Sequence, residues 1–141
     1  MRNKICTIVL ISCVKSKLTH RARAQDLYIS DLFCKSLAYA QSLDPDAIYI
    51  LSAKYWLLEL EQEIEPYELT LNDLSAAKQR VWARTALRML RRKADLQSDR
   101  FVILAGDSYR KYLLPKLVNF DIPMKGLSFG EQLHWLKEHL E

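Results

Sequence analysis

The chain has 141 residues and a mass of 16.5 kDa; 50% of its residues are hydrophobic, 27% are charged, and it holds only three glycines and four prolines. That is the composition of a single domain able to bury a core without disulfides or metal. It excludes collagen, low-complexity linkers and long disordered segments. No repeat is visible and no apolar run approaches the ~20 residues of a membrane span, so no membrane partner is expected.

In chain order, the first segment is Ile5–Ile11, continuously apolar and rich in β-branched residues. This pattern predicts a strand buried on both faces. Arg2 and Lys4 ahead of it, with Leu10-Ile11-Ser12-Cys13 behind, mimic a lipoprotein export signal. The apolar stretch is too short for one and Lys15 and Lys17 follow at once, so a strand of a cytoplasmic protein is the better reading. Cys6, Cys13 and Cys34 are odd in number and lack CxxC spacing, so neither a disulfide framework nor a zinc site is expected. His134 and His139 are five residues apart and fall on different sides of a helix. No metal or other cofactor is expected.

Val14–Gln25 reads as a basic loop, and Ser30 as the cap of a helix running to about Ser42, ended by Asp44-Pro45-Asp46. Ala47–Leu51 is a second buried strand, and Glu59–Thr70 is acidic and turn-like around Pro66. Asn72 or Asp73 is expected to cap a long helix ending near Asp95. Phe101–Ala105 is a third buried strand, and a short helix after Gly106-Asp107-Ser108 closes near Pro115. Leu117–Phe120 fits an edge strand, and Gly130 opens a last helix with Leu133, Leu136 and Leu140 inward. Apolar strands alternating with helices predict one three-layer α/β domain over residues 1–141: a mostly parallel sheet with helices on both faces.

Charge is concentrated on the long helix. Seven of the 21 basic residues lie between Lys78 and Lys93 with no acid among them, leaving 14 basic residues against 17 acidic ones elsewhere. At 100° per residue, Arg80, Arg84, Arg88, Arg91 and Arg92 share an arc of about 120°, opposite an apolar face. A soluble helix face normally mixes acids with its arginines. The stripe therefore fits nucleic-acid phosphates as well as it fits a solvated surface.

Ligands of parallel sheets bind beyond the carboxyl ends of the strands. There the chain carries Ser12-Cys13-Val14-Lys15-Ser16-Lys17, then Ser52-Ala53-Lys54-Tyr55, then Gly106-Asp107-Ser108-Tyr109-Arg110. Each joins small or hydroxyl residues to a cation, which suits an anionic ligand. No Walker A loop or GxGxxG is present. The ligand-binding candidates are Ser12, Cys13, Lys15, Tyr28, Ser52, Tyr55, Tyr67, Gly106, Asp107, Tyr109, Arg110 and Gln132. Tyr28, Tyr55 and Tyr67 are candidate stacking platforms for a base. Asp26, Glu65, Asp107 and Glu131 are candidates to activate water or stabilise a developing sugar cation, and Lys54 a Schiff-base nucleophile. Lys54, Glu65, Asp26 and Glu131 are accordingly the expected catalytic residues, converging with the strand ends on one pocket.

Leu51-Ser52-Ala53-Lys54-Tyr55-Trp56-Leu57-Leu58 and Ile64-Glu65-Pro66-Tyr67-Glu68-Leu69-Thr70-Leu71 resemble a family of small bacterial and phage domains of unknown function. Ile11–Lys17, Asp26-Leu27-Tyr28 and the block from Gly130 to Leu136 fit the same pattern. That family is distantly similar to the YaaA peroxide-stress proteins. The resemblance implies an α/β core and a DNA-linked role in damage or defence. Position 56 is usually glycine in the pattern, so Trp56 is expected to narrow the pocket or mark a different ligand. The reading reached is an enzyme acting on a nucleotide or a nucleic-acid base, cleaving or transferring at an N-glycosidic bond. The alternatives are a non-catalytic DNA-binding protein and a small-molecule nucleotide sensor.

Overall fold

The structure is a computed structural model that describes residues 4–15 and 17–140. Arg2 and Ser16 lie outside them. The three apolar runs form strands β1 (Thr7–Ser12), β3 (Ala47–Ser52) and β6 (Arg100–Leu104). The first strand starts later than its apolar run, because Ile5 is 64% exposed. Strand β1 lies in the centre, parallel to β3 on one side and to β6 on the other, in register Val9↔Ile48 and Val9↔Val102. A short parallel strand, β7 (Asn119–Asp121), follows β6 at one edge, shifted slightly from Leu117–Phe120. The other edge is β4 (Trp56–Glu59), antiparallel to β3. The order is β4-β3-β1-β6-β7, so the sheet is mostly parallel, as its apolar strands require.

Helix α2 (Asp31–Ser42) is capped by Ser30, whose Oγ accepts from the Phe33 amide at 3.1 Å. It ends where Asp44 takes φ 49° ahead of Pro45, a left-handed C-terminal stop. Helix α2 packs on β1 and on α5 (Phe129–Leu140), in which Leu136 is fully buried but Leu140 is 39% exposed. The arginine-rich helix is α3 (Ala76–Arg91), packed on β4. Its cap is Ser75, accepting from Lys78 N at 3.2 Å, and not Asn72 or Asp73, which belong to a 3-10 turn. It ends at Arg91, short of Asp95. Right-handed crossovers out to β3 and back past β1 to β6 place α2 and α3 on opposite faces.

Two segments that read as loops contain short elements. Strand β2 (Ala22–Arg23), leading into the single turn α1 (Ala24–Leu27), pairs antiparallel with β5 (Glu63–Ile64). The basic loop is thereby tied to the acidic one. The turn α4 (Asp107–Arg110) follows β6, and Pro115 sits in a separate 3-10 turn. At the opposite end of the sheet, Asp99 is fully buried and accepts from the amides of Cys6 and Asp95 at 2.9 and 2.8 Å. It fastens the start of β6 to the start of β1.

Trp56 closes the β3–β4 hairpin across from Ser52 with φ 64°. Three residues, 53–55, join the strands, and Trp56, the first residue of β4, is left-handed, a conformation glycine adopts freely and L side chains at a cost of roughly 1–2 kcal/mol. The glycine that the resemblance implies at position 56 would take this angle without strain. Trp56 does not line the cavity described below and so does not narrow it. Trp82 on α3, by contrast, is 4% exposed and donates from Nε1 to the Ser52 carbonyl at 2.8 Å. Trp56→Gly is expected to change stability by less than about 1 kcal/mol, relief of strain offsetting the lost half-exposed ring. Trp82→Ala should cost roughly 3–5 kcal/mol in the same denaturant titration. Equal losses would contradict the turn-geometry account.

Candidate functional site

The strand order reverses between β1 and β6, since one crossover leaves β1 toward β3 and the next returns past it. A crevice opens at such a switch point, beyond the carboxyl ends of the strands. Here it is a cavity of about 340 Å³, at the small end of ligand sites. Ile11 and Ser12 of β1 and Ile103 and Leu104 of β6 form its floor. Cys13, Lys15 and Lys17 come from the loop after β1; Gly106, Tyr109 and Arg110 come from the turn after β6. Leu32 and Phe33 of α2, with Leu69, Ile122 and Met124, supply an apolar side. Val14, Ser36, Thr70, Asn72, Ala105 and Gln132 complete it.

Three cations line this space, and among the described residues no carboxylate does. Arg110 is anchored through Nη1 to the Ala105 carbonyl at 2.9 Å, which uses one of its five N–H groups. Gly106 has an ordinary backbone, and a side chain there would meet no heavy atom within 4 Å. Its value at this position is openness, not conformational freedom. The Lys17 ammonium lies 4.5 Å from the Tyr67 ring centre and 5.7 Å from that of Tyr28. Burial holds its pKa below the ordinary lysine value, with neighbouring Lys15 adding in the same direction and Cys13 and Glu68 opposing.

Behind the cavity wall runs a buried chain of hydroxyls. Tyr67 shares hydrogen bonds with Tyr28 at 2.6 Å and with Ser52 Oγ at 2.7 Å, and Ser52 Oγ accepts from the Tyr55 amide. Cys13 donates from Sγ to Tyr109 Oη at 3.2 Å, and the Leu71 amide donates to the same oxygen. Tyr28, Tyr67 and Tyr109 are 1%, 9% and 6% exposed. Burial pushes all three phenols well above the ordinary tyrosine value, and Cys13 beside them adds to the effect.

The structure brings Ser12, Cys13, Lys15, Gly106, Tyr109, Arg110 and Gln132 to one cavity. Tyr28, Ser52 and Tyr67 stand behind its wall. They are not open platforms: Tyr28 packs on Phe33, Tyr55 meets Tyr67 edge-on, and Lys17 covers the Tyr67 face. The expected convergence of Lys54, Glu65, Asp26, Glu131 and Asp107 on this cavity is not what the fold does, since none of them lines it. Local partners hold most of them elsewhere. Glu65 pairs with Arg21 at 3.3 Å and Asp26 with Arg23 at 2.9 Å, all on the surface. Lys54 is exposed beside its neighbour Tyr55. Glu131 accepts from the Ser128 amide at 2.9 Å while Ser128 Oγ accepts from the Glu131 amide, a reciprocal cap that lowers the carboxyl's pKa. Asp107 is exposed in the first turn of α4.

Lys17, Thr70 and Asn72 line the cavity but were not singled out in the sequence. Lys17 had a signal, lying in the same post-strand block as Lys15. Thr70 and Asn72 had none, because the turn Leu71–Asp73 that places them is fixed by tertiary contacts: Tyr109 holds the Leu71 amide, and Ser108 Oγ donates to Asn72 Oδ1 at 2.6 Å. No three His, Cys, Asp or Glu side chains among the described residues gather as metal ligands.

Fold and site together define a mostly parallel α/β domain with a cationic cavity at the switch point of its sheet. The chain belongs to DUF6884, a family of unknown function whose pattern matches residues 8–138. No curated protein and no solved structure matches it.

The buried phenols make stability fall in alkali. Their protons are held in the folded state but released at about pH 10 on unfolding, so stability is complete below that value and is lost as pH rises above it. Each retained proton steepens the loss by about 1.4 kcal/mol per pH unit. In a phenolate absorbance titration, at least three of the seven tyrosines, Tyr28, Tyr67 and Tyr109, should ionise only together with loss of secondary structure. Non-cooperative ionisation of all seven would refute the network.

Proposed function

We propose that the domain is nucleotide-directed, with the phosphate held by Lys15, Lys17 and Arg110 and the base against Leu32, Phe33, Ile122 and Met124. The observation that carries this reading is the lining itself: three cations and no carboxylate beside an apolar wall, at the switch point of the sheet. Such an arrangement favours an anionic group at one end and a flat apolar one at the other. A cavity of about 340 Å³ has room for a mononucleotide rather than a dinucleotide. The resemblance to the YaaA proteins points the same way, toward nucleic acid in a stress or phage-defence setting in the cytoplasm. No helix among the described residues is long and apolar enough to cross a membrane, which agrees with a ligand met in water.

Recognition is better supported than hydrolysis. Cleavage of an N-glycosidic bond by a carboxylate needs Asp or Glu at the sugar, and the lining offers none. An enzymatic form of the reading, glycosylase- or hydrolase-like, would rest on Cys13 and Lys17, the two nucleophile-bearing side chains of the cavity nearest the buried hydroxyls. A nucleotide sensor needs neither.

The reading predicts that nucleoside monophosphates raise the melting temperature and the parent nucleosides do not. A ligand at a hundred times its Kd adds about 2.7 kcal/mol of stability. Lys15→Ala together with Arg110→Ala should abolish the shift without lowering the melting temperature of the free protein by more than a few degrees, since Lys15 is exposed and Arg110 only half-buried. Equal effects of nucleosides and nucleotides, or a shift surviving the double substitution, would displace the ligand from this cavity.

A further inference from the structure

We propose that the outer face of α3 is a docking surface for the phosphodiester backbone of a nucleic-acid strand, and that it leads to the rim of the switch-point cavity. Arg80, Arg84, Arg88, Arg91 and Arg92 are all exposed on α3 and the residue that follows it. None of the five forms an ion pair among the described residues, although Lys93 just beyond them does, with Glu59 at 3.5 Å. Five guanidinium groups held unpaired along one face repel one another in the free protein. That repulsion becomes attraction only against a polyanion. From Arg80 to Arg91 the helix rises about 16 Å, the axial length of roughly five phosphates along one strand of a duplex.

The position of the stripe gives it a direction. Helix α3 begins four residues after Asn72, and Asn72 lines the cavity. At the same end, the Arg80 guanidinium lies 5.5 Å from the ring centre of Tyr112, two residues beyond the cavity's Arg110. Strand backbone running along α3 therefore arrives beside the space that holds a single nucleotide. An anionic lipid surface fits less well. Interfacial helices need an apolar face to insert, and the apolar face of α3, with Trp82, Ala86 and Leu90, is already buried against the sheet. Only Val81 interrupts the exposed side with a large apolar group, at 53% exposure. The destination of the strand rests on the nucleotide reading of the cavity; the capture of the strand does not.

The test is fluorescence anisotropy with short single-stranded and duplex DNA and RNA, each titrated at several salt concentrations, with anionic vesicles and an acidic polypeptide as separate arms. Wild type should bind oligonucleotides with log Kd rising steeply with log salt. Arg84→Glu with Arg88→Glu should weaken binding about tenfold or more and flatten that slope by about 1.4–1.8, two contacts at roughly 0.7–0.9 each. Arg84→Gln with Arg88→Gln should give the intermediate result if charge reversal perturbs folding. Neither pair should alter the monophosphate thermal shift. Unchanged oligonucleotide affinity and slope in both pairs would overturn the proposal, as would tighter wild-type binding to vesicles or to the polypeptide than to any oligonucleotide. If mononucleotides fail to bind while oligonucleotides still depend on α3, the cavity reading falls and the docking surface stands.

Discussion

Everything in this fold hangs on the pairing of β1 with two parallel neighbours. Ile8 through Ile11 are at most 2% exposed and meet β3 on one side and β6 on the other. A strand so placed has both edges hydrogen-bonded and both faces covered, so its interior must be apolar, as Ile8–Ile11 between Thr7 and Ser12 are. The same placement forces the chain to leave β1 in one direction and return past it in the other. The crevice between β1 and β6 follows from that reversal and from nothing else. The residues that end β1 therefore line that crevice before any of them is chosen for chemistry. Asp99 secures the arrangement from the far end, binding the amide of Cys6 and the turn before β6 with one buried carboxylate.

The cavity wall is stiffened by a second constraint, the hydroxyl chain. Tyr67 comes from the segment after β5, Tyr28 from the end of α1, Ser52 from the end of β3 and Tyr109 from α4. These elements share no backbone ladder, yet their polar tips converge beside Cys13 and satisfy one another. A buried polar cluster is favourable only when every member is satisfied, and no buried side-chain N or O among the described residues lacks a partner. The proline–tyrosine block is thereby explained as architecture: Tyr67 joins the ends of β3 and α1, and Lys17 rests on its ring. Tyr28 and Tyr67 stand beside the loop bearing Lys15 and Lys17 without lining the cavity, whereas Tyr109 does line it.

The parts of the fold visible in the sequence were those whose signal is local. Three β-branched apolar runs, Ser30 as a cap and the Asp44-Pro45 stop each state their structure within a few residues. The hairpin strand β4 and the β2–β5 pair were not visible, because two- and four-residue strands carry too little periodicity and depend on their partners. The site divided in the same way. Strand ends could be located, so Ser12, Cys13, Lys15, Gly106 and Arg110 came together. The carboxylates could not, Glu65 because its partner Arg21 is distant in sequence and Asp26 because its neighbour Arg23 turns it to the surface. Glu131 is the exception: the Ser128-x-x-Glu131 spacing is a capping box by pattern alone. Trp56 shows a third case, in which a departure from a family pattern suggests altered chemistry and reflects a backbone angle.

Those carboxylates still shape the electrostatics, by where they are absent. Glu63 and Glu65 face Arg21, Asp26 faces Arg23, and Glu59 faces Lys93. Exposed pairs of this kind add little stability, about 0–1 kcal/mol each. Their larger effect is to cancel field locally, and beyond about 8–10 Å salt screens the remainder. The cavity and the outer face of α3 have no such partners among the described residues. A net charge of +4 is thus a poor guide to the surface that another molecule meets. The acids of the β2–β5 region have cations of their own, whereas no carboxylate lines the cavity, Glu68 acting on Lys17 from outside the lining, and the α3 arginines form no ion pair among the described residues. On the reading proposed above, a polyanion is drawn to two cationic places, the arginines of α3 and the cavity that Lys15, Lys17 and Arg110 line.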